Sequence, residues 1–208
     1  MTQTLYRALF LLFIVAGCLR LSAQDRQTDV GVWIVDTELN ETTLLDDGEA
    51  LRVTFHEQVG FGLSLNHFWT SRFSTELSAM SFGGDMSVGT AGVPEVTVGE
   101  LDAGAITAIA QLHFNRAGRV SPYIGAGAAH VSGSFDVADD IDSDETLDLE
   151  SSTTWTAAAG LNVRLTERFL LAGELKYVPW SPTDAEGLDS ERIDIDPLFF
   201  SAGVRFRF

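Results

Sequence analysis

The chain has 208 residues, with 30 acids against 13 bases and a formal net charge of −17. That length bounds it to about one domain, and so acidic a balance excludes nucleic acid as a partner. Its single cysteine, Cys18, rules out an internal disulfide, and no stretch after residue 23 carries the roughly eighteen apolar residues of a transmembrane helix.

Residues 1–23 read as a secretory signal. Arg7 precedes an apolar run from Ala8 to Leu19, and Leu21-Ser22-Ala23 stands before Gln24. Val15-Ala16-Gly17-Cys18 resembles a lipobox, which gives a second processing route in which Cys18 is acylated. Both routes imply Sec-type export, and cleavage after Ala23 leaves a mature domain of 24–208. Without Arg7 and Arg20 that part holds 11 bases against 30 acids.

From there on the hydrophobic period is two, which means strands. Eight segments are expected: 29–37, 51–69, 73–83, 101–114, 120–131, 153–165, 169–178 and 197–208. Long polar connections follow the first, third, fifth and seventh (38–50, 84–100, 132–152, 179–196). Short ones follow the second, fourth and sixth: Thr70-Ser71-Arg72, Asn115 to Arg119, and Thr166-Glu167-Arg168. Alternating long and short connections with an even strand count predict an all-β fold, an eight-stranded antiparallel up-and-down transmembrane β-barrel. Its short turns and both termini would face the periplasm. A Greek-key sandwich has no reason to alternate its loops this way.

The faces point the same way. In 101–114 the apolar Ile106, Ala108, Ala110, Leu112 and Phe114 alternate with Ala105, Thr107, Ile109, Gln111 and His113. In 153–165, Trp155, Leu161, Val163 and Leu165 alternate with Thr156, Ala158, Gly160, Asn162 and Arg164. In 169–178, Phe169, Leu171 and Leu175 alternate with Leu170, Ala172, Glu174 and Lys176. Gly31, Gly60, Gly62, Gly125, Gly127, Gly160 and Gly203 all fall on the mixed face. Small residues there suit the interior of a narrow barrel, so the apolar face is expected to meet lipid. Aromatics gather at strand ends: Phe68, Trp69, Phe73, Phe114, Tyr123, Phe169 and Phe206 by the short turns, Phe82, Trp155, Tyr177, Trp180 and Phe199 by the long loops. Two aromatic girdles at the membrane interfaces are expected from this. The last strand alternates to its end, with Val204, Phe206 and Phe208 on the apolar face, and closes the barrel against the first.

Three stretches carry a family resemblance. "VSPYIGAGAAH" (120–130), "GFGLSLNHFWTSRFSTELSA" (60–79) and "IDIDPLFFSAGVRFRF" (193–208) are similar to strands of the OmpW family of small outer-membrane barrels. The order and spacing extend the likeness over most of the mature chain, although Ser81-Phe82 stands where that family often has Pro-Phe. The resemblance implies a narrow barrel in the outer membrane of a Gram-negative bacterium that binds or passively translocates small hydrophobic molecules. It brings no catalytic residues and no cofactor. The ending in Val204, Phe206 and Phe208 also resembles the signal read by the barrel assembly machinery.

Three features could carry chemistry. The long loops hold most of the acids and one base, Arg192. Within them Asp140, Asp142 and Asp144 copy the start of a calcium loop that would also include Asp148, but Glu145 stands where that loop needs glycine and Ser151 where it needs glutamate. Weak divalent-cation binding shared with lipopolysaccharide, or a merely solvated acidic rim, are the two readings. The second feature is the expected lumen lining: Glu76, Gln111, His113, Tyr123, Asn162, Arg164, Glu174, Lys176 and Arg205, with Arg207. Charges of both signs there either pair and plug the barrel, which then is a non-transporting structural cylinder, or line a wet passage. The third is His130-Val131-Ser132, which resembles barrel-type lipid A esterases but lacks the flanking aromatic and asparagine. His56, His67 and His113 have no metal-ligand spacing.

Overall fold

The computed structural model describes residues 28–38, 42–46, 49–89, 96–137, 146–180 and 196–208. The signal segment with Cys18 lies outside them. The described strands are β1 (Thr28–Glu38), β2 (Thr42–Asp46), β3 (Glu49–Gln58), β4 (Gly60–Phe68), β5 (Phe73–Gly89), β6 (Val96–His113), β7 (Val120–Val137), β8 (Thr146–Arg164), β9 (Phe169–Tyr177) and β10 (Leu198–Arg207). β1, β4, β5, β6, β7, β8, β9 and β10 form an antiparallel ring of eight staves. It closes through β1 on β10, where Asp29 faces Arg207 and Val32 faces Val204.

β3 continues β4 beyond Val59, and both pair with β5. The register slips by one residue between Gln58↔Gly83 and Gly62↔Met80, which makes a β-bulge. Gly60 sits in that slip because a Cβ there would lie 1.9 Å from the Ser81 carbonyl oxygen. Further irregularities fall at Met86/Ser87 and at Val131/Gly133. All three lie toward the long-loop end.

The strands run farther toward the long loops than the apolar pattern indicates. β5 extends to Gly89, β6 begins at Val96, β7 extends to Val137 and β8 begins at Thr146. The expected first loop, 38–50, contains β2, which pairs with the start of β3. Apolar alternation is required only where the outer face meets hydrocarbon. Backbone pairing can continue past that level on polar residues, and the sequence pattern does not mark it.

Two of the short turns share one construction. Thr70 Oγ1 accepts hydrogen bonds from Arg72 N at 3.2 Å and Phe73 N at 2.9 Å. Thr166 Oγ1 accepts from Arg168 N at 3.2 Å and Phe169 N at 3.0 Å. Threonine is needed there because its hydroxyl caps N–H groups that the ladder leaves over.

The outer face is apolar and exposed, with Val32, Ile34, Phe61, Ile106, Leu112, Ile124, Leu171 and Val204 standing clear of the ring. The inner face is packed. Gly160 makes room for a large neighbour, since a Cβ there would lie 2.3 Å from the Tyr123 hydroxyl. The aromatics divide differently from the expected two girdles. Phe68, Tyr123, Phe82, Trp180 and Phe199 are buried inside the ring. Outside, Trp69, Phe73, Phe114, Phe169 and Phe208 cluster near the short turns, and Trp155 stacks with Tyr177 at 5.5 Å near the other end. Strand parity decides the side an aromatic takes; nearness to a strand end does not.

Replacing Gly160 with valine forces overlap with Tyr123 and is expected to cost about 1–3 kcal/mol. Equilibrium urea unfolding in lipid should show a lower midpoint for Gly160→Val, with Gly160→Ala falling between it and the parent.

Candidate functional site

The interior of the ring has three levels. Next to the short turns, Arg207 (β10) holds Asp29 (β1) through two bonds, Nε–Oδ1 at 2.7 Å and Nη2–Oδ2 at 2.9 Å. Arg116, in the turn after β6, lies 3.8 Å over the Phe68 ring. Arg164, at the end of β8, donates to the Arg116 carbonyl at 2.8 Å.

The middle level is an ion-paired network. Arg205 Nη2 (β10) meets Glu76 Oε2 (β5) across the interior at 2.6 Å. The same guanidinium donates to the Tyr123 hydroxyl (β7) at 3.3 Å, and Tyr123 donates to Glu174 Oε2 (β9) at 2.8 Å. Lys176 Nζ lies 3.0 Å from Glu174 Oε1 and donates to Ser78 and Thr107. Asn66 and Ser74 both donate to Gln111 Oε1. Two carboxylates and two cations make this level neutral. Neutrality matters because an unmatched charge shut away from water is costly.

Above it the interior turns apolar. Trp33, Val35, Met80, Phe82, Leu101, Ala103, Ala105, Ala129, Val131, Ala172, Val178, Trp180 and Phe199 form one buried cluster. Trp180 enters from above: after β9 the chain turns inward, and the indole meets Phe82 edge-on at 6.1 Å. Asp196 fixes this turn. It accepts from Trp180 N at 3.1 Å and from the Tyr177 hydroxyl at 3.1 Å, and its own N–H donates to the Trp180 carbonyl. Asp196 holds φ at 38°, a left-handed backbone that aspartate tolerates better than most residues. A cavity of about 10 Å³ lies where the apolar and charged levels meet, lined by Trp33, Met80, Glu174, Lys176 and Ser201. It has room for about one water molecule.

The structure brings Glu76, Gln111, Tyr123, Glu174, Lys176 and Arg205 together at the middle level. It places His113 and Asn162 lower down, buried, with Arg164 half-buried at the mouth. His113 bonds Ser74 at 3.0 Å and His67 bonds Thr28 at 3.0 Å. Among the described residues no group of His, Cys, Asp and Glu could hold a metal. His130 faces outward and bonds Thr153, while Ser132 sits at the β7 bulge without a bond to it. Asp140, Asp142 and Asp144 lie outside the described residues, as do the side chains of His56 and Asp148.

Two features escaped the sequence reading. Asp29 is the counter-ion of Arg207, and its parity with Gly31 already put it on the inner face. The apolar upper level replaces the small, polar interior expected throughout. Phe199 and Val131 were legible there by alternation, but Trp180 was not, because it follows the strand and turns in.

The family model described as "Outer membrane protein beta-barrel domain" matches residues 11–208. The outer membrane protein AlkL of Ectopseudomonas oleovorans is 28% identical over 132 residues, covering 61% of this chain. The match spans about half, 54%, of that relative's length. The crystal structure of OprG from Pseudomonas aeruginosa superimposes with a TM-score of 0.68 at 17% identity, covering 88% of this chain and 96% of that one. The solution structure of the E. coli outer membrane protein W gives 0.51 at 19% identity, covering 88% and 97%. At these identities the two structures establish a shared fold, the small barrel that the alternation predicts.

Because removing one partner leaves the other charge buried and unmatched, Arg205→Met alone should cost about 3–5 kcal/mol. Glu76→Met/Arg205→Met should lie within about 1 kcal/mol of the parent, since two apolar side chains leave nothing unpaired. Urea unfolding of the lipid-embedded barrel checks both.

Proposed function

Since the chain belongs to the outer membrane protein β-barrel domain family, we propose that it is a receptor or passive conduit for small hydrophobic molecules, which it takes into its upper interior. The observation that carries this reading is the change of polarity along the axis. A buried apolar cluster holding Phe82, Trp180 and Phe199 stands on a charged layer of Glu76, Arg205, Glu174 and Lys176. An apolar solute gains by leaving water for the first and would lose by displacing ion pairs in the second. The cluster therefore selects apolar molecules, and the charged layer opposes straight passage of both ions and apolar solutes.

The wall offers another route. β9 stops at Tyr177, opposite Ala157, while β8 continues upward to Thr146 paired with β7 alone among the described strands. A solute held beside Trp180 is thus close to a stretch of β8 that no described strand pairs on that side, and would pass from there into the bilayer. The acidic long loops would face lipopolysaccharide, and the outward row of Val204, Phe206 and Phe208 would be presented to the assembly machinery.

A second reading, a structural barrel that transports nothing, is favoured by the tight fill of the middle level, where Arg205 and Glu76 are 0% and 1% exposed. Binding separates the two readings. In Trp69→Phe/Trp155→Phe protein the remaining indoles, Trp33 and Trp180, are inside the ring. Titration with 1-bromooctane in maltoside micelles should quench their emission saturably, and Ala103→Leu, which adds bulk to the cluster, should weaken this by about tenfold. Emission that changes no more than that of the detergent-only partition control would leave the structural reading. An unchanged lipid A acyl profile in Ser132→Ala would dispose of the esterase.

A further inference from the structure

The arginines gather at one end of the barrel. Arg72, Arg116, Arg119 and Arg168 lie in the short turns, and Arg164 and Arg207 end the strands beside them. Among the described residues the carboxylates at that end are Asp29, held by Arg207, and Glu167, in the turn after β8. In a chain of net charge −17 this is a pronounced local excess of positive charge.

These groups surround a recess. A cavity of about 10 Å³ opens between the turn after β6 and the ends of β8 and β10, and its lining includes Arg116, Arg119, Arg164, Arg207, Ser121 and Asn162. Asn162 is 3% exposed, and its Oδ1 has no hydrogen-bond partner among the described residues. The Arg164 guanidinium meets the Arg116 carbonyl and no carboxylate among the described residues. Burial, then the Arg207 guanidinium, push the pKa of Arg116 below its ordinary value; Asp29 opposes the fall and Arg164 adds to it.

We propose that this recess is an oxyanion site, which seats a phosphate group with one oxygen inside and its remaining oxygens on Arg164 and Arg119. Guanidinium forks match phosphate geometry. An oxyanion there adds negative charge among closely spaced guanidinium groups. The recess lies at the short-turn end, where headgroups of the inner leaflet and free periplasmic phosphate both present the same chemistry. A phosphate seated between the turn after β6 and the end of β8 would also tie two staves together.

The test uses the folded barrel in a phosphate-free maltoside micelle, at ionic strength held constant with sodium chloride so that screening does not vary. Inorganic phosphate and, separately, dihexanoylphosphatidylglycerol are titrated while backbone amide resonances are followed. Saturable shifts confined to Gly118, Ser121, Asn162 and Arg164 are expected. Arg164→Gln should weaken binding at least tenfold, and Arg72→Gln, in a different turn, should change it less than twofold. Response to inorganic phosphate identifies a free-anion site, and response to the lipid alone identifies a headgroup site; either supports the assignment. No saturable shift with either probe overturns it, and so does equal weakening by Arg72→Gln, which would mean a diffuse basic collar. The mapping on the parent protein stands on its own if Arg164→Gln does not fold.

Discussion

Within hydrocarbon a backbone N–H or C=O has no water to turn to, and every other feature of this protein follows from that. A sheet crossing the membrane must have no edge, so β10 closes on β1 and the eight staves pair around the full ring. Closure divides the side chains of each strand into two environments that share nothing. The outward set needs only to be apolar. The inward set must fill a narrow cylinder and satisfy its own polar atoms.

The inward set meets this demand by grading its chemistry along the axis. At the middle level Arg205 pairs with Glu76 and Lys176 with Glu174, and the long side chains fit because glycines such as Gly160 yield space opposite them. Above, the chain after β9 turns inside, and Trp180 packs on Phe82. Below, the arginine-rich mouth has more cations than described carboxylates. An ion-paired middle thus lies between an apolar cluster and a basic mouth.

The ring was legible in the sequence because a period of two, kept in phase across a whole strand, leaves little freedom. Ile106 and Thr107 could not both face lipid, and one slip would have exposed Gln111 and His113 together. The loop-length alternation supplied the topology. What alternation could not supply was depth. Residues of β5, β6, β7 and β8 beyond the hydrocarbon still pair, although nothing in their polarity announces it. Position near a strand end could not tell Phe82, which points in, from Trp155, which points out; parity could. Trp180 was legible by neither, because its place depends on Asp196, sixteen residues later, holding the turn. Asp29 was overlooked although it shares the face of Gly31, since a lone acid at the start of a strand resembles an ordinary end residue until Arg207 is brought opposite it.

The division between the two faces is tested most directly by magnetisation transfer from lipid. In bilayers with protonated acyl chains and an otherwise deuterated, methyl-labelled protein, nuclear Overhauser contacts from the chain methylenes should reach the methyls of Ile106, Ala108, Leu171 and Val204. They should miss those of Ala105, Ile109 and Ala172. Acyl-chain contacts to the second group, with none to the first, would mean that the faces are reversed and that neither the apolar cluster nor the ion-paired layer lies inside the barrel.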